Sequence, residues 1–239
     1  NKAIGFIEQF ITHTKGELSG KKLKLEDWQK KIVGDIFGWK NKETELRKYR
    51  TVFILLGRKN GKSTLCAAIG LYMLFADEER GSEVYSAAGD RQQAGIVFEI
   101  AKGMILQSPE LSQRGKVFRN SIVNESKGNF YQAISSDSKT KHGFNANCII
   151  FDELHTQPNR DLWDTLVTST GSRRQPLTIA ITTAGYDKQS ICYEIYSYAK
   201  KVADKVIKDD SFYSVIYEAE KEDDIKLEST WKKANPNYG

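Results

Sequence analysis

The sequence predicts an α/β fold in which helices flank a mostly parallel central sheet. Short apolar runs with the length of buried strands alternate along the chain with longer segments whose apolar residues recur every three or four positions. Two of the apolar runs lead directly into chemically distinctive motifs, one glycine-bearing and basic, the other acidic. Because parallel strands are joined by crossover helices, this alternation favours parallel units.

The first fifty residues predict a helical segment. Apolar residues recur at helical spacing in residues 1–11 and again in residues 32–36. Trp28 and Gln29 stand upstream of the first core strand, where an indole face could stack on adenine and an amide could hydrogen-bond it. A Trp at a helix start is also an ordinary core residue, so the residues alone leave both interpretations open.

The centre of the predicted fold is residues 51–75. An apolar strand at 52–56 leads into the loop 57–63, of sequence GRKNGKS, and then into a helix. This is the layout of a phosphate-binding loop, in which backbone N–H groups and the helix dipole attract an anion. Lys62 is predicted to reach the β- and γ-phosphates, and the Ser63 hydroxyl to ligate Mg²⁺.

The spacing of this loop is irregular. Three residues separate Gly57 from Gly61, where the usual pattern has four, and Leu56 stands where the first glycine is expected. The alternative is a chance Gly-Lys-Ser at an ordinary strand-to-helix turn. The nucleotide-binding residues predicted in this region are Gly57, Arg58, Lys59, Asn60, Gly61, Lys62, Ser63 and Thr64.

A second apolar strand, residues 148–153, ends in two adjacent acids, Asp152 and Glu153. Consecutive side chains at a strand end point in different directions. Asp152 is therefore predicted to hold the water shell of Mg²⁺, and Glu153 to face an attacking water. Together with the phosphate-binding loop, this acidic strand end predicts nucleotide hydrolysis.

The remaining elements extend the alternation. Further strands are predicted at 83–88, 177–185 and 211–218. Further helices are predicted at 91–106, 161–168 and 190–206. The β-rich segments 116–123 and 130–134 predict a hairpin-like excursion, and residues 235–239 have the composition of a loop.

Composition excludes several classes of protein. The three cysteines and three histidines have no metal-ligand spacing, which makes a zinc site improbable and favours small core cysteines in a reducing compartment. No apolar run approaches the roughly 20 residues that span a bilayer. The net charge of +5 agrees with contact to a polyanion, but it also fits an ordinary solvated surface and locates no binding face.

These motifs, in this order, resemble the ATPase domain of the large terminase subunit of tailed double-stranded DNA phages, of the HK97-like type. The resemblance spans residues 25–239 and is carried by Leu25 with Trp28-Gln29, by 57–63, by 149–155, by Arg173-Arg174 and by 181–187. It implies a RecA-like (ASCE) P-loop NTPase fold. It also implies ATP and Mg²⁺ as cofactors.

The resemblance further implies roles for individual residues. Terminase loops carry an internal arginine, so Arg58 becomes a candidate catalytic group beside Lys62 and Glu153, of the kind that contributes on the order of 10³ to 10⁵ in rate. Arg173 and Arg174 are rival candidates, acting in trans within a ring of subunits or forming ordinary salt bridges. Thr182, Thr183 and Ala184 match the coupling motif, and Trp28 with Gln29 the adenine-recognition segment.

The implied partners are double-stranded DNA, a portal protein, a small terminase subunit and further copies of the chain in a ring, pentameric in the family. The implied location is the host cytoplasm at the portal vertex of the procapsid, and not the mature virion. We expect an N-terminal helical segment (1–50), an ATPase core (51–208) and a lid or linker segment (209–239). The acids after residue 185 lie in polar runs, so a nuclease domain is expected to be absent.

Two other functions remain open. A superfamily 2 helicase would share the DExH spelling of residues 152–155 and the triplet 182–184, but it would need a second RecA-like domain that the sequence after residue 185 does not supply. A non-hydrolysing ATP-gated adaptor is the other alternative. Glu153 argues against it, because pure switches often lack a carboxylate there.

Overall fold

A computed structural model describes residues 1–136, 143–185 and 187–238, and confirms the predicted α/β class. Its strands are β1 (Thr51–Leu55), β2 (Glu83–Ala88), β3 (Lys116–Val117), β4 (Ser121–Asn124), β5 (Asn129–Ser135), β6 (Ala146–Asp152), β7 (Leu177–Thr182) and β8 (Phe212–Ile216). They form one sheet in the order β3-β4-β5-β2-β6-β7-β1-β8. Neighbouring strands pair in parallel along the stretch β5-β2-β6-β7-β1-β8. At the other end of the sheet, β4 pairs antiparallel with both β3 and β5.

Helices cover both faces of the sheet. They are α1 (Lys2–Phe10), α2 (Asp27–Gly38), α3 (Lys62–Phe75), α4 (Arg91–Leu106), α5 (Pro109–Ser112), α6 (Asp161–Thr168), α7 (Ile191–Ala203) and α8 (Glu228–Ala234). Short 3₁₀ helices lie at Leu154–Thr156 and Ser169–Ser172. Within the described residues, none of these helices combines the length and the apolarity needed to cross a bilayer.

Strand alternation divides the interior into two cores. In β1, Val52 and Ile54 pack with the apolar residues of α1 to α4, while Phe53 and Leu55 pack with those of α6 and α7. This follows from the two-residue period of a strand, which sends successive side chains to opposite faces. Because both faces are covered, the central strands read as continuous apolar runs rather than as alternating ones.

Parallel pairing brings the functional loops together. The carboxyl ends of β1, β2, β6, β7 and β8 lie at one edge of the sheet, which is where ligands bind in folds of this kind. The phosphate-binding loop follows β1, the acidic pair closes β6, and the threonine-rich end of β7 lies between them in the sheet order.

The structure differs from the sequence prediction at several element bounds. The predicted excursion is present as three short antiparallel strands, and β7 ends at Thr182 rather than at residue 185. Helix α8 lies within residues 209–239, for which the sequence predicts a lid or linker segment but no helix. His142, in the polar loop before β6, and Tyr186, in the coupling segment, lie outside the described residues.

Candidate functional site

The loop after β1 forms a cradle at the start of α3. Lys59 and Gly61 adopt left-handed backbone conformations (φ 63° and 72°), and Gly61 is the N-cap of α3. The backbone N–H groups of the first turn of α3 have no partner within the helix and point out of its N-terminus, where they can stabilise an anion. A cleft of about 290 Å³ lies there, lined by Arg58, Lys59, Gly61, Lys62, Ser63, Thr64 and Glu153.

Lys62 is held by two groups in this cleft. Its Nζ donates to the Gly57 carbonyl oxygen at 3.3 Å and lies 3.5 Å from Oε1 of Glu153. The side chain is only 6 % exposed. A buried ammonium requires such partners, and a triphosphate in the cradle would supply alternative ones.

Asp152 faces the start of α3. Its Oδ2 accepts a hydrogen bond from Ser63 Oγ at 2.8 Å, and its Oδ1 is buried without a hydrogen-bond partner among the described residues. Burial raises the pKa of Asp152 above its usual value, although the Ser63 hydrogen bond opposes the shift. An unpartnered carboxylate oxygen beside a hydroxyl matches the oxygen ligands that Mg²⁺ prefers, so these residues fit the ion.

Glu153 turns away from Asp152 because its backbone leaves the strand conformation. Its φ of 51° is left-handed, which costs a residue with a side chain on the order of 1–2 kcal/mol. The turn directs Oε1 towards Lys62, while Oε2 accepts from the backbone N–H and the hydroxyl of Thr183, both at 3.3 Å. One carboxylate thus bridges the phosphate-binding loop and the end of β7.

His155 joins the same network. Its Nδ1 lies 2.9 Å from Thr182 Oγ1 and 3.3 Å from Glu153 Oε2. Since the Thr182 hydroxyl donates to the Thr183 carbonyl and a carboxylate only accepts, we assign the imidazole proton to Nδ1. Burial lowers the pKa of His155, with Glu153 opposing the shift and Arg58 reinforcing it, so the ring is neutral at pH 7.

The predicted adenine-recognition residues lie beside the loop. Gln29 is buried, and its Oε1 accepts from the backbone N–H of Glu26 in a capping box at the start of α2. A methyl group placed on Gly61 would come 3.7 Å from Gln29 Nε2, which puts the amide next to the cradle. Trp28 packs edge-on against Tyr217, with ring centroids 6.0 Å apart.

The candidate arginines lie at opposite ends of the strands. Arg58 is exposed on the rim of the cleft. Arg173 and Arg174 precede β7 and so lie at the opposite edge. Arg173 donates to the carbonyl oxygens of Asn145 and Gly81, at 2.7 and 2.6 Å from one of its terminal nitrogens. A trans role for this pair remains a prediction, and Arg173 would first have to leave these internal partners.

Three functional candidates escaped sequence reasoning. His155 follows the acidic pair, but nothing in the sequence indicates that its ring reaches Thr182. Asn235 and Asn237 contact the phosphate-binding loop and Trp28 although they stand at the far end of the chain. The only available signal was the Asn-Pro-Asn spelling of residues 235–237, which also suits an ordinary loop.

Comparison with known proteins gives consistent matches. The family model for the terminase large subunit, ATPase domain, matches residues 27–201. The chain is 30 % identical over 248 residues to the large terminase subunit of Enterobacteria phage HK97, and 24 % identical over 247 residues to that of Lactococcus phage SK1. Each alignment takes in 100 % of this chain, but only 46 % and 45 % of the relatives. The chain therefore spans about half the length of the curated relatives it matches.

The fold comparison agrees. The crystal structure of the HK97 bacteriophage large terminase superposes with a TM-score of 0.85 at 26 % identity, covering 100 % of this chain and 48 % of that one.

Proposed function

The chain belongs to the family of terminase large subunit ATPase domains, and from that premise we propose that it hydrolyses ATP to drive double-stranded DNA into a procapsid. The observation that carries the proposal is the position of Glu153. Its carboxylate contacts Lys62 on one side and Thr183 on the other. Movement of Lys62 when the phosphates bind or leave would therefore alter a contact of the residue that is hydrogen-bonded to the end of β7. In this proposal, the contact between Glu153 and Thr183 couples ATP hydrolysis to movement of residues 182–184.

ATP binding is supported by the cradle. The triphosphate lies against the N–H groups at the start of α3, and Lys62 leaves Glu153 and the Gly57 carbonyl to bind the β- and γ-phosphates. Ser63 and Asp152 would hold Mg²⁺, which when bound neutralises charge on the phosphate oxygens. Trp28 and Gln29 take the adenine side of the nucleotide.

The proposed hydrolysis step uses the Glu153 carboxylate after Lys62 has left it. Once Lys62 has moved to the phosphates, Oε1 of Glu153 is available to accept a proton from the attacking water, while Thr183 still holds Oε2. Arg58 offsets the negative charge that develops on the transferred phosphoryl group. Loss of the Lys62 contact lets the Glu153 side chain shift, and its hydrogen bonds to Thr183 pass this shift to residues 182–184, in the coupling role.

The proposed partners follow from the family. They are double-stranded DNA, a portal protein, a small terminase subunit and further copies of this chain in a ring, pentameric by resemblance. The proposed place of action is the host cytoplasm at the portal vertex. The division into an N-terminal segment (1–50), an ATPase core (51–208) and a lid or linker (209–239), with no nuclease activity from this chain, stays part of the same proposal.

The test is a set of three variants measured for ATP binding and steady-state ATP hydrolysis. Glu153→Gln keeps the shape of the side chain but cannot accept the proton, so we expect binding within about threefold of wild type and turnover reduced by roughly 10² to 10⁴. Lys62→Ala is expected to lose both activities. Glu99→Gln, on the exposed face of α4, is the matched control and should behave as wild type. Hydrolysis at the wild-type rate by Glu153→Gln would exclude it as the base.

A further inference from the structure

The last residue of α8 and the residues that follow it lie directly on the phosphate-binding loop. The backbone N–H of Gly57 donates to the Ala234 carbonyl at 3.1 Å. The Asn60 side chain donates from Nδ2 to Asn235 Oδ1 at 3.2 Å and accepts at Oδ1 from the backbone N–H of Asn237 at 3.3 Å. Three hydrogen bonds thus join residues 234–237, which we call the clasp, to a loop about 175 residues earlier in the chain.

Asn60 is the centre of these contacts. It is 3 % exposed, and its Nδ2 also lies within hydrogen-bond distance of the carbonyl oxygens of Gly57 (3.1 Å) and Arg58 (3.2 Å). The same amide therefore braces the turn of the loop internally and ties it to the clasp. Because a buried amide is costly to leave without partners, loss of the clasp would loosen the turn itself.

The clasp also explains the irregular glycine. A Cβ added to Gly57 would overlap Oδ1 of Asn235, although the backbone of Gly57 is not left-handed. A side chain at position 57 would force the Asn235 side chain to move, so this contact, and not a strained turn, favours glycine here. A contact within this chain is thus one physical reason for a glycine at position 57.

The same segment reaches the adenine side of the cleft. Asn237 Oδ1 accepts a hydrogen bond from the indole N–H of Trp28 at 2.6 Å. Trp28 immediately precedes Gln29, whose amide lies beside Gly61. The clasp therefore contacts both the loop that would hold the phosphates and the residue that would face the base.

We propose that residues 234–237 position the phosphate-binding loop and Trp28 for a purine nucleoside triphosphate, with Asn235 and Asn237 as positioning residues. This inference rests on the proposed nucleotide function. Because the clasp favours the loop conformation that binds nucleotide, bound nucleotide must in turn stabilise the clasp, by reciprocal linkage. Helix α8, which ends at Ala234, is thereby coupled to the occupancy of the cleft.

The first test is affinity for a non-hydrolysable ATP analogue with Mg²⁺. Asn235→Gly removes the hydrogen bond from Asn60, and Asn237→Ala removes the hydrogen bond from Trp28. We therefore expect roughly three- to tenfold weaker binding and a raised KM for each, with kcat within about twofold because Glu153 and Lys62 are untouched. Lys232→Ala, an exposed change on α8 that breaks only its pair with Glu228, is the control and should bind as wild type.

The second test separates positioning from general destabilisation. Gly57→Ala introduces the overlap with Asn235, and we expect it to weaken binding by roughly three- to tenfold in the wild-type background, as loss of the Asn235 contact does, but less than twofold in the Asn235→Gly background. Equal losses in both backgrounds would show that Asn235 is not what Gly57 accommodates. That outcome would overturn the inference.

The third test needs no substitution. Hydrogen exchange of residues 228–238 in the wild-type chain should slow at least twofold when the analogue binds, although these residues lie outside the phosphate cradle. If the wild-type chain binds the analogue but exchange there is unchanged, the clasp is wrong and the nucleotide function stands. If the wild-type chain binds no nucleotide, the proposed function fails and this inference with it.

Discussion

Asp152 shows how burial sets the chemistry of a single side chain. Asp152 is 4 % exposed, and burial raises the pKa of its carboxyl group although Ser63 donates a hydrogen bond to it. The folded protein therefore binds a proton more tightly than the unfolded chain does, and stability falls as pH rises through the interval between the two pKa values. At neutral pH the charged group costs stability, which a bound cation would offset.

Asp152→Asn is accordingly expected to raise the melting temperature without ligand at pH 7.5 and to abolish any rise that Mg²⁺ with ATP analogue produces. For a domain of this size, 1 kcal/mol corresponds to about 2–4 °C. Thermal melts between pH 4 and 8 measure both effects. Asp210→Asn, at an exposed position, is the control. A lower melting temperature for Asp152→Asn would show that the charged carboxylate stabilises the empty site.

His155 has the opposite pKa shift. Burial lowers its pKa, so below about pH 6.5 the unfolded chain takes up a proton that the folded chain resists, and the folded state loses stability on acidification. Protonation would also place a cation beside Lys62 and Arg58.

We expect His155→Asn, which keeps one N–H donor, to lose less stability than wild type between pH 7 and pH 5. Urea unfolding midpoints at both pH values measure the difference. His13→Asn, in the N-terminal segment, is the control. Identical pH dependence in His155→Asn and wild type would show that the buried imidazole contributes nothing to acid sensitivity.

At the level of elements, the turn between β2 and α4 supports the acidic strand end. Gly89 lies so close to the carbonyl of Thr156 that an added Cβ would overlap this backbone oxygen. Thr156 closes the 3₁₀ helix that begins immediately after Glu153, and its own N–H and hydroxyl donate to the Glu153 carbonyl. The turn after β2 therefore restrains the position of Glu153, the residue that follows β6.

Gly89→Ala should consequently cost about 1–3 kcal/mol through overpacking and lower kcat by shifting Glu153. Gly95→Ala is a matched control within α4, because a Cβ there meets nothing within 4 Å and alanine is favoured over glycine in a helix by about 0.5–1 kcal/mol. Unfolding free energies and ATP turnover of both variants check the pair. Equal stability of the two would contradict the close approach.

For the molecule as a unit, the sheet separates two sets of arginines. Arg58 lies in the cleft at the carboxyl edge, while Arg173 and Arg174 lie at the amino edge, where Arg173 is bound to the Gly81 and Asn145 carbonyls and pairs with Glu79 at 3.6 Å. The proposed ring could therefore complete each site from its own subunit, through Arg58, or from the next one.

We expect Arg58→Ala to lower turnover by about 10³, and mixing it with Glu153→Gln to restore no activity, because both residues line one cleft. Recovery on mixing would mean that Arg58 acts across a subunit boundary. Turnover per subunit should rise with protein concentration if a ring forms. Arg119→Ala, at an exposed position near the antiparallel end of the sheet, is the control.

Local patterns were enough to predict the α/β class, most elements and the placement of Lys62 and Ser63 at a strand-to-helix turn. These features are set by residues close together in sequence: the spacing of apolar side chains, the glycines of the loop and the acids at the strand end. The pairing of Asp152 with Ser63 also follows, because parallel topology brings the ends of β1 and β6 to one edge.

Long-range packing set the rest. The bridge from Glu153 to Thr183 depends on a left-handed backbone that no local pattern encodes, since a glutamate rarely adopts it. The contact of Trp28 with Asn237 joins residues 209 positions apart. The side chain that a Cβ at Gly57 would meet belongs to Asn235, which is likewise distant in sequence. Such contacts form only when the whole chain has packed, because their geometry is set by the faces that the sheet and helices bring together.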